Sequence, residues 1–236
     1  MRRESHVRFY EGLGVQLPRA TRRNIYVRTE RAGKRVMASV TRFIERRLRL
    51  KVNADKSAVA PTEERAFVGF TLRRQPLDGK VEVVLSKRSK DRIDIKIRQM
   101  TPRNWGGSMH SCIERLNQYL RGWMGFFGIC TAGVEYVLGG LDAHIRRRLR
   151  AIQLRHWKRK RTIARRLVAM GIRSKTAWHT VYEGRKSRWA LSHTSAVDRA
   201  LRNSYWDARG LVPLKRLWAR HPRRIVAPVQ LRLALG

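Results

Sequence analysis

After residue 86 the apolar positions of this chain recur mainly at three- and four-residue steps, which is the period of a helix packed on one face. The spacing predicts helices over roughly 87–99 and 108–128. In the second, Ile113, Leu116, Leu120, Trp123, Met124 and Phe127 make the apolar stripe, and Arg115, Asn117, Arg121 and Gly122 lie off it or at its border. Ser108 is placed to cap that helix. A further helix over 134–157 sets Tyr136, Val137, Leu141, Ile145, Leu149 and Ile152 on one side and an arginine cluster on another. A shorter one over 159–170 stops at Gly171, a C-cap residue type. Residues 174–183 and 194–202 are also predicted helical, joined by a Gly184–Ser192 segment. Beyond Gly210 the chain has three prolines and weak periodicity.

The first third reads differently. Gly12, Gly14 and Pro18 punctuate residues 1–23, where no period is sustained. Asn24–Arg28 has the β-branched and aromatic content of a short strand, and a helix is predicted from Arg31 to Leu50 through Val36, Val40, Phe43, Ile44 and Leu48. Asn53–Lys56 is a polar turn. Ala66–Leu72 is a second strand candidate, in which Gly69 signals close approach of a backbone or ligand. Pro76–Gly79 is a loop, and Lys80–Leu85 a third strand. No tandem repeat is present. The pattern predicts an α+β fold, with a small mixed part to about residue 86 and a mainly helical part after it.

Charge narrows the function. The 236 residues include 54 Lys+Arg against 17 Asp+Glu, a formal net charge of +37. So many unpaired cations repel one another in a compact state, so a polyanionic partner is expected, nucleic acid before an acidic membrane surface. Dense runs lie at Arg146–Arg148, Lys158–Arg161 and Arg223–Arg224, with tryptophans close by, and arginine planes and aromatic faces stack on unpaired bases. Cys112 and Cys130 make no disulfide framework and sit in no CxxC or Cys/His zinc pattern. No apolar run approaches the roughly 20 residues of a membrane helix, and the basic start has no apolar stretch behind it. The expectation is a soluble, cytoplasmic protein of bacterial type with no membrane partner.

Asn24–Ala60 followed by Phe67–Phe70 resembles the end of the palm of group II intron reverse transcriptases. Leu116–Ile129 and Leu141–Thr162 resemble the intron-maturase region that follows it, the thumb and domain X, and Arg188–Leu211 is similar to that family's C-terminal tail. The resemblance implies five segments. Residues 1–23 are unmatched, 24–86 a partial palm, 87–170 the thumb and maturase-specific helices, 171–211 a family-like tail, and 212–236 an unmatched basic tail. It also implies fingers and most of the palm ahead of Asn24, so the expectation is a truncated remnant of a mobile genetic element. The two unmatched ends are then expected to be read-through sequence without selected structure, and the partial sheet to show unpaired edges and an apolar face.

One departure bears on chemistry. In the family, Tyr-Ala-Asp-Asp precedes the strand matching Asn24–Arg28, and its aspartates help hold two divalent cations for nucleotidyl transfer. Here Arg19-Ala20-Thr21-Arg22-Arg23 stands there, and aligning the alanines puts Thr21 and Arg22 at the aspartate positions. A hydroxyl and a guanidinium cannot replace two anionic ligands. Asp91 and Asp94, about one helical turn apart among Lys and Arg, are expected to be local ion partners. No catalytic residue, metal site or cofactor is therefore assigned, magnesium belonging only to an intact family member. Lys56 matches the lysine that in related polymerases protonates the leaving pyrophosphate, and without metals it is expected to be solvated or to face a phosphate. Phe67–Phe70 matches a primer-grip-like turn, with Gly69 admitting a nucleic-acid backbone.

The function expected is RNA binding of the maturase type, assisting intron folding and splicing without polymerisation. Arg121, Arg146, Arg147, Arg148, Arg150, Lys158, Arg159, Lys160 and Arg161 are the expected phosphate contacts, and Trp123 a brace between helices. Group II intron RNA is the expected partner, with DNA a further candidate and the oligomeric state open. The alternatives are a working RNA-directed DNA polymerase and a nonspecific basic nucleic-acid-binding protein. His193 and His221 form no His-Asn-His nuclease arrangement, so no DNA cleavage is carried over.

Overall fold

The computed structural model describes residues 24–75, 79–131, 133–184 and 186–221. They fall into two units divided between Ala60 and Pro61. The unmatched 1–23 segment, most of the Pro76–Gly79 loop and residues 222–236 of the tail lie outside the described residues.

In the first unit Thr29 caps helix α1 (Glu30–Arg47), its hydroxyl accepting from the Ala32 amide at 3.2 Å. Glu30 suits the positive end of the helix and pairs with Lys34 one turn on. The predicted stripe forms, yet Val40, Phe43 and Leu48 stand exposed along it. Gly33 is buried because a Cβ there would come within 2.7 Å of Val59 Cγ1, so the missing side chain lets the later segment lie against the helix. A 3-10 turn, Ala54–Lys56, is capped by Asn53, whose side chain accepts from the Lys56 amide at 3.0 Å. The strand expected over Asn24–Arg28 does not form. That stretch makes no ladder, since among the described residues no strand pairs with it.

The second unit begins with a three-stranded antiparallel sheet in the order β1 (Ala66–Phe67), β2 (Phe70–Arg74), β3 (Val81–Leu85). The single strand expected over Ala66–Leu72 is thus a hairpin. Phe67 pairs with Phe70 across a two-residue turn in which Val68 (φ 50°) and Gly69 (φ 89°) are both left-handed. Two positive φ values give the turn whose twist matches the strands, and the β-branched Val68 hid that signal. Arg73 and Glu82 face each other across β2 and β3 and pair at 2.7 Å. On β3, Val83 exchanges hydrogen bonds with Thr131, whose hydroxyl accepts from the Val83 amide at 2.9 Å and whose amide donates to the Val83 carbonyl at 2.9 Å. Phe70 packs on Phe126 and Phe127, and Trp123 stacks on Phe127 at 4.6 Å, joining sheet to helix.

Helices α2 (Lys87–Met100), α3 (Met109–Phe127), α4 (Val134–His156), α5 (Lys160–Ala169) and α6 (Ser174–Tyr182) fall close to the predicted spans. Ser108 caps α3 as expected, accepting from the Ser111 amide at 3.1 Å. The fold is α+β and mainly helical, as predicted. Among the described residues four short helices complete it: α7 (Arg188–Leu191), α8 (Ser195–Ala200), α9 (Asn203–Asp207) and α10 (Leu214–Ala219). Of these α7, α9 and α10 were not predicted, each being too short to show a period.

The expectation of no selected structure beyond residue 211 fails for the described part of the tail. Leu214 and Trp218 are buried, and the Trp218 indole donates to the Cys130 carbonyl at 3.0 Å. Each such side chain contributes about 2 kcal/mol by leaving water.

Helix α4 organises the second unit through the ends of its neighbours. A helix terminus leaves backbone groups without partners, N–H at its start and C=O at its end. Asp142 accepts from the Leu214 and Lys215 amides at 2.7 and 3.2 Å and so caps the start of α10. Burial raises its pKa, while those two amides, Arg146 and Lys215 pull the other way. Arg148 donates to the carbonyls of Arg98 and Thr101 at the end of α2 and to the Thr101 hydroxyl at 2.6 Å. Arg150 donates to the Leu201 carbonyl at 3.3 Å, where α8 ends, and pairs with Asp198. In each case the charge has the sign that the helix end prefers. From α3, Asn117 donates to the Gly210 carbonyl at 2.7 Å and accepts from the Val212 amide at 3.0 Å, clamping the link between α9 and α10.

These roles correct the α4 pattern. Tyr136, expected on the apolar side, is 90% exposed, and Leu138 is buried instead. From Arg148 to Leu154 every residue is buried, because α4 is covered on several sides there.

Candidate nucleic-acid interface

Residues 143–182 contain thirteen lysines and arginines and no aspartate or glutamate. They make the second half of α4, the α4–α5 turn, α5 and α6. Trp157 ends α4 and is buried, with the Arg166 guanidinium 5.4 Å from its ring. Lys158 follows at φ 58°, a left-handed residue that is not glycine. Its carbonyl accepts from Arg188 Nη2 at 2.8 Å, which holds the turn. On α5, Ile163, Ala164 and Leu167 face the core, so Lys160, Arg161, Arg165 and Arg166 are left outside. Gly171 at φ 88° stops the helix, and α6 then packs back through Ala177 and Val181.

The expected contact residues separate into three groups. Arg121 on α3 and Lys158, Arg159, Lys160 and Arg161 are exposed. Arg146 and Arg147 are half-buried, and the Arg147 guanidinium lies 4.2 Å from the ring centroid of Trp189, which Arg103 also approaches at 4.4 Å. Arg148 and Arg150 are buried, against the expectation of surface cations, because their guanidinium groups are committed to the helix ends described above. Burial lowers the pKa of both.

Gly69 differs too. A Cβ there would stand 2.7 Å from Ser89 Oγ and 3.0 Å from Phe127 Cε1, while its carbonyl accepts from Ser89 Oγ at 2.8 Å. The space the missing side chain opens is filled by the protein itself rather than left for a nucleic-acid backbone. Lys56 is exposed in the 3-10 turn of the first unit. Asp94 is an ion partner, holding Arg98 at 2.7 Å.

Thr21 and Arg22 lie outside the described residues. Among the described residues no group of three or more His, Cys, Asp or Glu could hold a metal ion, and no helix is long and apolar enough to cross a membrane. Burial pushes the Cys112 and Cys130 thiols up to about 11 and about 12, so both stay protonated at neutral pH.

The family model for the group II intron, maturase-specific domain matches residues 90–169. The chain carries a group II intron maturase-specific region. That region runs from within α2 to the end of α5, takes in every expected arginine and lysine contact except Lys56, and supports a maturase-type role. No curated protein matches the chain. Sequence reasoning passed over Arg165, Arg166, Arg173 and Lys175, all exposed. The signal that would have found them is the long gap between Asp142 and Glu183 without an acid.

Proposed function

We propose that the chain binds group II intron RNA through the maturase-specific region, assists its folding for splicing, and does not polymerise DNA. The observation that carries this is the exposed basic surface of Lys158, Arg159, Lys160, Arg161, Arg165 and Arg166 inside that region, on a stretch without a single acid to pair with. Folding an RNA brings phosphates together, and cations fixed on a rigid helix lower that repulsion without an ordering cost at each contact. Every phosphate neutralised releases bound counterions, so affinity falls steeply as salt rises. Arg121, exposed on α3, is a further cation of the same region. Lys56 and the family-like tail are assigned no contact.

The absence of polymerase activity rests on Thr21 and Arg22 at the aspartate positions of the aligned motif, where the two metals would lose their anionic ligands. The decisive experiment is splicing of a group II intron precursor at low magnesium with and without the purified chain, beside binding across a salt series. Accelerated splicing with a steep salt slope is expected, and no extension of a primer on an RNA template. Templated cDNA from the purified chain, or binding that is flat in salt, overturns the reading.

A further inference from the structure

Most of the aromatic rings near the basic surface are already taken. Trp157, Trp206 and Trp218 are buried. Trp189 has the guanidinium groups of Arg103, Arg147 and Arg148 against its ring at 4.4, 4.2 and 5.9 Å, which ties α7 to α4. Tyr205 is covered by Arg209 at 3.5 Å. On α6 the arrangement is different. Trp178 is anchored against the core, and Tyr182, one turn later, stacks on it with centroids 5.5 Å apart and planes at 19°. Tyr182 is 49% exposed, and the Lys160 ammonium lies over its ring, 5.6 Å from the centroid, on a flexible stem that can turn aside for a base.

We propose that Tyr182, braced by Trp178, is a stacking platform for an unpaired nucleotide of the bound RNA, with Lys160 as the contact to that nucleotide's phosphate. The inference rests on the RNA-binding reading above and adds the kind of RNA element that this edge of the surface takes. Three features support it. A ring already held in a stack gives up little rotamer freedom when a base lands on it, so most of the stacking energy is retained as affinity. The lysine beside it is on a different helix, α5, and begins the exposed basic face, so base and phosphate sites are continuous with the surface that grips the rest of the strand. Glu183, the acid next to Tyr182, is held by Lys186 at 2.9 Å, which mutes its repulsion of phosphate. A duplex keeps its bases inside the stack and cannot use the platform, so the site should favour single strands, loops or bulges.

The test compares the full chain with Tyr182→Leu and Tyr182→Phe on a single-stranded oligouridylate and on an RNA duplex of the same length, by fluorescence anisotropy at fixed salt. Leucine keeps an apolar side chain against Trp178 and removes only the π face, and phenylalanine restores that face. Tyr182→Leu is expected to weaken single-strand binding about tenfold and duplex binding less than twofold, with Tyr182→Phe near the original. An equal loss on both RNAs, no loss on the single strand, or a loss in Tyr182→Phe as large as in Tyr182→Leu overturns the proposal while leaving the RNA-binding reading in place. Failure of the unaltered chain to bind either RNA overturns both. If Tyr182→Leu loses its helical circular dichroism, Tyr182→Trp decides, with single-strand binding at or above the original expected and a loss on the single strand overturning the platform.

Discussion

Two arginine-rich stretches lie within about 20 residues of each other, and they do opposite work. In Arg146–Arg150 two of the arginines turn inward: Arg148 and Arg150 are buried, bonded to the carbonyl ends of α2 and α8. In Lys158–Arg161 every side chain is exposed. Both are strongly basic, and the difference is position. The first stretch sits on a helix covered on several sides, where a cation survives only by taking up acceptors that would otherwise be unpaired. The second sits at a turn and the outer face of α5, where water solvates the charge and leaves it open to a phosphate. A run of arginines in a basic protein is therefore not evidence of a binding surface until its acceptors are known.

The sharpest way to break this contrast is Arg148→Ala. It leaves buried carbonyls at the end of α2 and the Thr101 hydroxyl without a donor, and should cost about 3 kcal/mol or more, read as a lower urea midpoint. Cys112, whose sulfur lies 4.0 Å from the Met100 carbonyl, provides a second readout, since its thiol should become labelled faster as that end of α2 loosens. Replacing Lys158, Arg159, Lys160 and Arg161 together with glutamine should do the reverse. RNA affinity should drop about a hundredfold at low salt and the salt slope by about 3, while the urea midpoint hardly moves. A large loss of stability in that variant would erase the distinction.

Smaller effects sharpen it. Asp142→Ala removes the acid that caps α10 and should cost about 2 kcal/mol, measured by thermal unfolding, with RNA affinity unchanged once the protein is folded. Lys158→Gly relieves a left-handed residue with a side chain at the cost of a looser unfolded chain. Stability should stay level or rise by about 0.5 kcal/mol while affinity falls severalfold, as expected of a residue kept for its charge rather than its backbone.

Much of this molecule was legible in the chain. The α3 stripe, its Ser108 cap and the stop at Gly171 follow from short-range rules, since each depends on residues within a turn or two. The basic run at Lys158–Arg161 was legible for the same reason. The hairpin at Val68-Gly69 was not, because valine is a poor residue for a positive φ, so the turn lacks its usual marker. Helix α10 was not either. Its start is capped by Asp142, 72 residues away, and no local window contains that partner. Nor was the filling of the space at Gly69 by Ser89 and Phe127, which are near only after the sheet meets α2 and α3.

The sequence by itself determined that the chain is cationic far beyond self-pairing, that it is mainly helical after residue 86, and which helices carry the charge. These are sums and periods, and they survive any arrangement of the parts. Tertiary structure alone decided which cations face water and which end a helix, since burial and hydrogen-bond partners belong to pairs of residues brought together across the chain. It is for this reason that Arg148 and Arg161, alike as letters, became a structural cap and a candidate phosphate contact.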